Sequence, residues 1–185
     1  MDQDSQIKIL ESQIRELYGR VVWTHKTQEK CADILLRRHT FLKITQITLS
    51  ALTTTGILVA VFGENKLIGI ISAMLSAILF GLNAYTKDYD LGEISQKHSN
   101  SASELWNIRE SYLSLLTDIK SNQLTVTQII EKRDALQIEL SNTYKGAPRT
   151  ISAAYKEATK GLKQNEELTF SKEEINNLLP DELRS

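Results

Sequence analysis

Two long apolar segments joined by four residues constrain this chain more than any other feature. Ile44–Phe62 and Leu67–Tyr85 are each 19 residues long, and the two charged residues in the region, Glu64 and Lys66, both lie in the connecting tetrapeptide. As an α-helix, 19 residues rise roughly 28 Å, close to the ~30 Å hydrocarbon core of a bilayer. The segments therefore predict a transmembrane helical hairpin.

A pair of core helices in a soluble bundle is the alternative interpretation of these segments. The first segment favours lipid less strongly than the second, because seven of its 19 residues are Thr, Ser or Gln. A helix at the surface of a soluble core normally carries charges along one face. Neither segment has such a face, so the membrane interpretation is preferred.

The Lys and Arg residues beside the hairpin predict its orientation. Five precede the first segment closely: Lys26, Lys30, Arg37, Arg38 and Lys43. Two follow the second segment, Lys87 and Lys97, and one, Lys66, lies in the turn. The positive-inside rule then places both termini in the cytoplasm and the turn outside. Residues 1–43 lack the apolar core of a signal peptide, so the first segment is expected to be an uncleaved anchor.

The remaining sequence predicts helices only. The expected fold class is all-α, a two-helix transmembrane hairpin with long cytoplasmic helices packed as a helical bundle. The expected divisions are an N-terminal cytoplasmic helix over 1–43, the hairpin over 44–86 with spans 44–62 and 67–85, a cytoplasmic helical region over 87–162, and a C-terminal tail with a short helix over 163–185.

Three local patterns define the predicted cytoplasmic helices. Apolar residues in steps of three and four from Ile7 to Val21 form a seam too short for a free coiled coil, so packing against the protein's own helices is favoured. A second face at three- and four-residue spacing predicts one helix over residues 87–120; its members are Leu91, Ile94, His98, Ala102, Leu105, Arg109, Tyr112, Leu116 and Ile119. Capping-box spacings at Thr125 and Ser171 predict the starts of two later helices.

Small residues recur every four positions in the second span. They are Gly69, Ala73, Ala77 and Gly81. In lipid, helices associate where small side chains let their backbones approach closely. This stripe is a candidate helix-packing surface, either with the first span or with another subunit.

The first span carries a polar face of Gln46, Ser50 and Thr53. Such side chains can bond within their own helix, bridge helices or line a wet path. Because two spans cannot enclose a channel, pore lining would require a homo-oligomer. Plain helix packing and pore lining both remain open for these three residues.

Motifs for enzymatic chemistry are missing from the sequence. There is no phosphate-binding Gly-rich loop, no HExxH and no CxxC, and the three histidines are widely separated. We therefore expect no catalytic residue, no metal site and no cofactor. A net charge of −1 without a basic domain also argues against a nucleic-acid partner.

Several segments resemble a known family. They are residues 20–33 (RVVWTHKTQEKCAD), 85–91 (YTKDYDL), 104–110 (ELWNIRE), 112–118 (YLSLLTD) and 147–150 (APRT), with His98, Ala102, Arg133, Asp134, Ala154 and Tyr155. Together they resemble the SLATT family, bacterial two-span proteins found with nucleotide-second-messenger and other anti-phage defence systems. The resemblance covers about residues 15–162, and most of the matched positions are helix-packing residues.

The resemblance implies an effector that damages the inner membrane by forming pores once a sensor partner or nucleotide signal is triggered, the partner being encoded nearby. It carries over no catalytic residue. The matched His98, Trp106, Arg109, Tyr112 and Asp118 are expected either in the cytoplasmic core or on a partner-facing surface. The rival hypothesis is a non-conducting membrane anchor or scaffold whose cytoplasmic helices recruit a partner.

Overall fold

A computed structural model describes residues 2–184 and confirms an all-α fold, with no strand in that range. Within the described residues, six α-helices follow one another: α1 (Gln3–Phe62), α2 (Lys66–Asp88), α3 (Leu91–Lys120), α4 (Val126–Gly146), α5 (Ser152–Lys163) and α6 (Lys172–Leu178). A 3-10 turn over Asp181–Leu183 follows α6. The chain separates into two compact units, one made of residues up to Cys31 together with those from His98 onward, the other of Ala32–Lys97.

Helix α1 is continuous over 60 residues and includes both the polar N-terminal segment and the first apolar segment. Its sequence contains no proline, the residue that most often breaks a helix interior. The apolar seam of its first part packs in the unit that contains α4. Leu10, Ile14 and Val21 are buried there with residues of α3 and α4, which confirms packing against the protein's own helices.

The core of this helical unit comes from three helices. Its buried hydrophobic residues are Leu10, Ile14, Val21, Leu105, Ile108, Tyr112, Leu115, Ile119, Ile129 and Leu140. The face predicted for α3 included Leu105, Tyr112 and Ile119 but not Ile108 or Leu115. Burial of these apolar side chains is the main force that holds such a bundle together.

Both predicted capping boxes are confirmed. The Thr125 side chain accepts from the backbone N–H of Gln128, and the Gln128 side chain accepts from the backbone N–H of Thr125. Ser171 and Glu174 make the same pair of bonds at the start of α6. Each box satisfies two backbone donors that a helix start leaves unpaired.

The prediction of one helix over residues 87–120 is wrong at its start. Helix α2 continues to Asp88, and α3 begins only at Leu91. The reason is local, because the Asp90 side chain accepts from the backbone N–H groups of Gly92 and Glu93 at 2.8 and 3.1 Å. An aspartate in that position caps a new helix and ends the previous one.

The second unit contains the hairpin formed by the C-terminal part of α1 and by α2. Glu64 in the turn has a φ of 53°, and the Asn65 side chain caps α2 by accepting from the N–H groups of Leu67 and Ile68. Both α1 and the helical stretch that starts at Lys66 are long and apolar enough to cross a membrane. Only 6% of the most apolar window of each is buried, whereas the core helix of a soluble protein is mostly buried.

Candidate functional site

Small residues set the distance between the two helices of the hairpin. A Cβ atom placed on Gly56 would lie 2.1 Å from Ser72 Oγ, and one placed on Gly69 would lie 3.4 Å from Ala60 Cβ. Ser72 is buried, with 2% of its surface exposed. The helices therefore touch through positions with little or no side chain, the arrangement that favours helix association in lipid.

Polar groups also join the two spans near the predicted cytoplasmic end. Gln46 Nε2 donates to Thr86 Oγ1 at 2.8 Å and to the Leu82 carbonyl at 3.4 Å. These bonds satisfy an amide that would otherwise be costly in hydrocarbon. Thr53 is buried, and its Oγ1 has no hydrogen-bond partner among residues 2–184.

A groove of about 600 Å³ runs along one side of the hairpin. Its lining residues are Gln46, Ile47, Ser50, Ala51, Thr54, Thr55, Leu79 and Asn83. Five of these eight side chains are polar, although most of the hairpin surface is apolar and exposed. Of the three candidate pore-lining residues, the groove includes Gln46 and Ser50, whereas Thr53 is buried and does not line it.

Three polar residues that line the groove are not among the predicted pore-lining residues. Thr54 and Thr55 follow Thr53 directly in α1, and Asn83 comes from α2. Thr53 was predicted to share a helix face with Gln46 because it lies seven residues further along the chain, nearly two full helical turns. Asn83 lines the groove because of how α2 packs against α1. A sequence pattern within one helix carries no information about that packing.

The predicted small-residue stripe of α2 divides between two surfaces. Gly69 faces Ala60 within the hairpin, whereas Ala73, Ala77 and Gly81 are exposed. A Cβ atom placed on Gly81 would meet nothing within 4 Å. Most of the stripe is therefore exposed in the single chain.

A buried polar pair lies in the other unit, between α1 and α3. The His98 Nδ1 atom and the Gln28 Oε1 atom form a short hydrogen bond, and Gln28 Nε2 donates to the Pro148 carbonyl at 3.3 Å. His98 and Gln28 are 1% and 2% exposed. Gln28 thus links α1 to α3 and to the connection between α4 and α5.

Burial governs the charge of the two histidines in this unit. Desolvation lowers the pKa of His98 from its ordinary value of 6.5. It also lowers the pKa of His25, where the nearby Glu29 acts in the opposite direction. Both imidazoles are consequently held in the neutral form at neutral pH.

Two lysines of α1 hold the segment that follows α5. Lys26 Nζ lies 2.7 Å from a carboxylate oxygen of Glu167, and Lys30 Nζ lies 3.1 Å from the same oxygen. Hydrogen bonds from the Lys26 and Lys30 side chains lower the pKa of Glu167 to about 2. The residues on either side, Glu166 and Leu168, both have positive φ, so the backbone turns sharply to present this carboxylate.

The five residues matched to the family separate into core and surface. His98 and Tyr112 are buried, and the Tyr112 hydroxyl has no hydrogen-bond partner among residues 2–184. Arg109 pairs with the neighbouring Glu110 at 2.6 Å and lies 6.0 Å from the Trp106 ring. Trp106 is 48% exposed, and Asp118 pairs with Lys132 at 3.0 Å on the surface.

Neither a metal site nor a reactive thiol is evident within residues 2–184. Across residues 2–184, no three His, Cys, Asp or Glu side chains are grouped closely enough to hold a metal ion. Cys31 is fully buried, and desolvation raises the pKa of its thiol, which disfavours the nucleophilic thiolate. The polar groove of the hairpin is therefore the leading candidate site.

Comparison with known proteins gives one family match. The model of SMODS and SLOG-associating 2TM effector domain family 4 (SLATT_4) matches residues 10–174. No curated protein and no solved structure matches the chain. The match confirms the predicted family resemblance, extends it at both ends and agrees with the two candidate membrane helices.

Proposed function

The chain belongs to SMODS and SLOG-associating 2TM effector domain family 4, and from this premise we propose that it is a pore-forming effector of a bacterial anti-phage defence system. The family match itself establishes a two-transmembrane effector domain of a kind associated with defence systems. The proposal adds that copies of the chain assemble in the inner membrane, and that a sensor partner or nucleotide signal triggers them to open a pore that disrupts it.

The observation that carries the proposal is the groove on one side of the hairpin, where five of the eight lining side chains are polar. Gln46 and Thr54 are bonded within the hairpin, but the side chains of Ser50 and Asn83 have no hydrogen-bond partner among residues 2–184. Polar side chains are costly against lipid, so such a groove is stabilised where it faces water or other polar groups. A ring of hairpins with their grooves turned toward a common axis provides that environment.

Subunit contacts in such a ring are assigned to the exposed part of the small-residue stripe. Ala73, Ala77 and Gly81 are exposed in the single chain, so they remain available to a neighbouring hairpin. Backbones that approach closely at these positions gain van der Waals contact without displacing larger side chains. A ring is also the usual closed arrangement of identical subunits.

Triggering is proposed to act as a shift between closed and open assemblies. The unit built from the first part of α1, α3, α4 and α5 provides a folded cytoplasmic surface for a partner or ligand. Helix α1 belongs to both units, so a change in its packing can reach the membrane segment directly. A ligand opens the assembly only to the extent that it binds the open form more tightly.

Dye release from vesicles tests the proposal. Without its trigger the closed assembly predominates, but a minor open fraction persists. The purified wild-type chain in lipid vesicles is therefore expected to release a small trapped dye slowly, and the S50L/T54L double variant is expected to release no more than empty vesicles do. Its matched control is T45L/T48L, which removes two hydroxyls that bond to their own helix, as the Thr54 hydroxyl does, but do not line the groove.

Two outcomes would contradict the pore. If the wild-type chain enters vesicles without releasing dye, the non-conducting anchor or scaffold explains the protein better. If S50L/T54L and T45L/T48L lose dye release equally, the groove has no special part in conduction. A trapped dextran that is too large for a narrow pore distinguishes conduction from general bilayer disruption. Vesicles with a pore retain the dextran, whereas disrupted vesicles release it.

A further inference from the structure

A second groove, of about 430 Å³, lies at the base of the hairpin next to the first span. We define it as the basal groove, lined by Arg37, Arg38, Phe41, Leu42, Tyr85 and Leu91. All six residues belong to the unit that contains the hairpin. We propose that the basal groove binds the phosphate headgroup of an acidic phospholipid, with the start of an acyl chain against its apolar wall.

Charge is the first argument for this ligand. Arg37 and Arg38 are exposed, and neither has an ion-pair or hydrogen-bond partner within residues 2–184. Guanidinium groups stay charged at any physiological pH and match the geometry of phosphate oxygens. Two unpaired guanidinium groups on the rim of one groove therefore favour an anionic ligand.

Depth in the bilayer is the second argument, and it rests on the proposed membrane topology. Arg37 and Arg38 precede Ile44 by seven and six residues, roughly 9–11 Å of helix rise. The headgroup layer is roughly 5–7 Å thick on each side of the hydrocarbon core. A flexible arginine side chain spans the remaining distance, so both guanidinium groups can reach lipid phosphates.

The apolar wall selects a lipid over a free phosphate ion. Phe41 is 70% exposed and Tyr85 is 49% exposed, and both lie where the groove meets the hairpin surface. The Tyr85 ring also stacks on Tyr89 at a centroid distance of 5.3 Å. Aromatic rings of this kind are typical of the level where headgroups meet acyl chains. A phosphate ion would use the two arginines but gain nothing from this wall.

The test measures lipid retention rather than conduction. Protein reconstituted in nanodiscs of phosphatidylcholine with one fifth phosphatidylglycerol is extracted into mild detergent, and the retained lipids are identified by native mass spectrometry. Wild-type protein is expected to retain phosphatidylglycerol selectively. The R37Q/R38Q variant is expected to hold it at least tenfold more weakly, about 1.4 kcal/mol, because it loses two charge-assisted guanidinium–phosphate contacts.

A matched control separates the groove from diffuse charge attraction. K43Q/K87Q removes the same number of positive charges beside the membrane but alters no lining residue of the basal groove. It is expected to retain phosphatidylglycerol as wild type does. Equal loss in both double variants would overturn the proposal, as would displacement of the lipid by millimolar inorganic phosphate.

This result is independent of pore formation. Lipid retention is read from detergent-extracted protein, whereas the proposed function is read from dye release. Selective retention without dye release would sustain the lipid site and reject the pore. Dye release with no preference between phosphatidylglycerol and phosphatidylcholine would reject the lipid site alone.

Discussion

At the scale of single residues, His98 shows how a buried polar group connects sequence to stability. Its ring bonds to Gln28 inside the helical unit, and burial lowers its pKa from 6.5. The unfolded chain therefore binds a proton near pH 6.5 that the folded chain does not accept until lower pH. Stability attributable to His98 is fully present above pH 6.5 and is lost as the pH falls below it.

We expect the H98Q variant to show a shallower loss of stability between pH 7.5 and pH 5 than wild type, because Gln does not titrate. The measurement is urea unfolding followed by circular dichroism in mild detergent at several pH values. H98A is expected to be less stable by about 1–3 kcal/mol at pH 7.5, since the Gln28 amide loses its partner. An unchanged pH profile in H98Q would show that His98 is not the titrating group.

Glu167 fixes the segment after α5 through Lys26 and Lys30. Its pKa is lowered to about 2, so the stabilising charge is complete above the ordinary value of 4.5 and is lost as the pH falls toward 2. Replacing it with Gln at neutral pH is expected to free the segment around residue 167. Limited proteolysis should then cut E167Q there faster than wild type.

The control for this prediction is E157Q. Glu157 lies on the exposed face of α5 and makes no ion pair among residues 2–184. Its replacement is expected to leave the cleavage rate unchanged. Equal protection of E167Q and wild type would mean that the two lysine contacts do not hold the segment.

At the scale of helices, local signals were predictable and contacts between helices were not. The capping boxes at Thr125 and Ser171 follow from a few adjacent residues, and both are present. The end of α2 was missed because the apolar pattern continues past Asp90, and only the capping geometry of that residue breaks it. Gln28 was not recognised because its partner, His98, lies 70 residues away in sequence.

The exposed part of the small-residue stripe yields a prediction about assembly. Because a Cβ atom placed on Gly81 would meet nothing within 4 Å, G81L is expected to leave the contact between α1 and α2 undisturbed. We expect G81L and A77L to weaken oligomers and abolish toxicity in cells. Chemical cross-linking in membranes and a growth assay measure the two effects.

The matched variant for this experiment is G56L. Gly56 faces Ser72 inside the hairpin, so a leucine there forces the two helices of one chain apart. Loss of thermal stability in detergent is expected for G56L but not for G81L. Mutants G81L and A77L that remain fully oligomeric and toxic would show that the stripe is not the subunit contact.

At the scale of the whole molecule, the hairpin and the all-α fold were accessible from sequence because each depends on composition over long stretches. The two apolar segments need only length and the absence of charge to be recognised. The polar groove depends on how α1 and α2 pack, so it was only half predicted, through Gln46 and Ser50. The basal groove combines residues from three helices and carries no pattern in any one of them.

The account depends most on the hairpin crossing the membrane, and thiol labelling from outside tests this directly. In a C31S background, E64C places a thiol in the turn, and Q123C places one in the exposed connection between α3 and α4. In bacterial spheroplasts, a membrane-impermeant maleimide is expected to label E64C at once and Q123C only after lysis. A turn thiol that stays unlabelled until lysis would contradict the hairpin topology and the pore built on it.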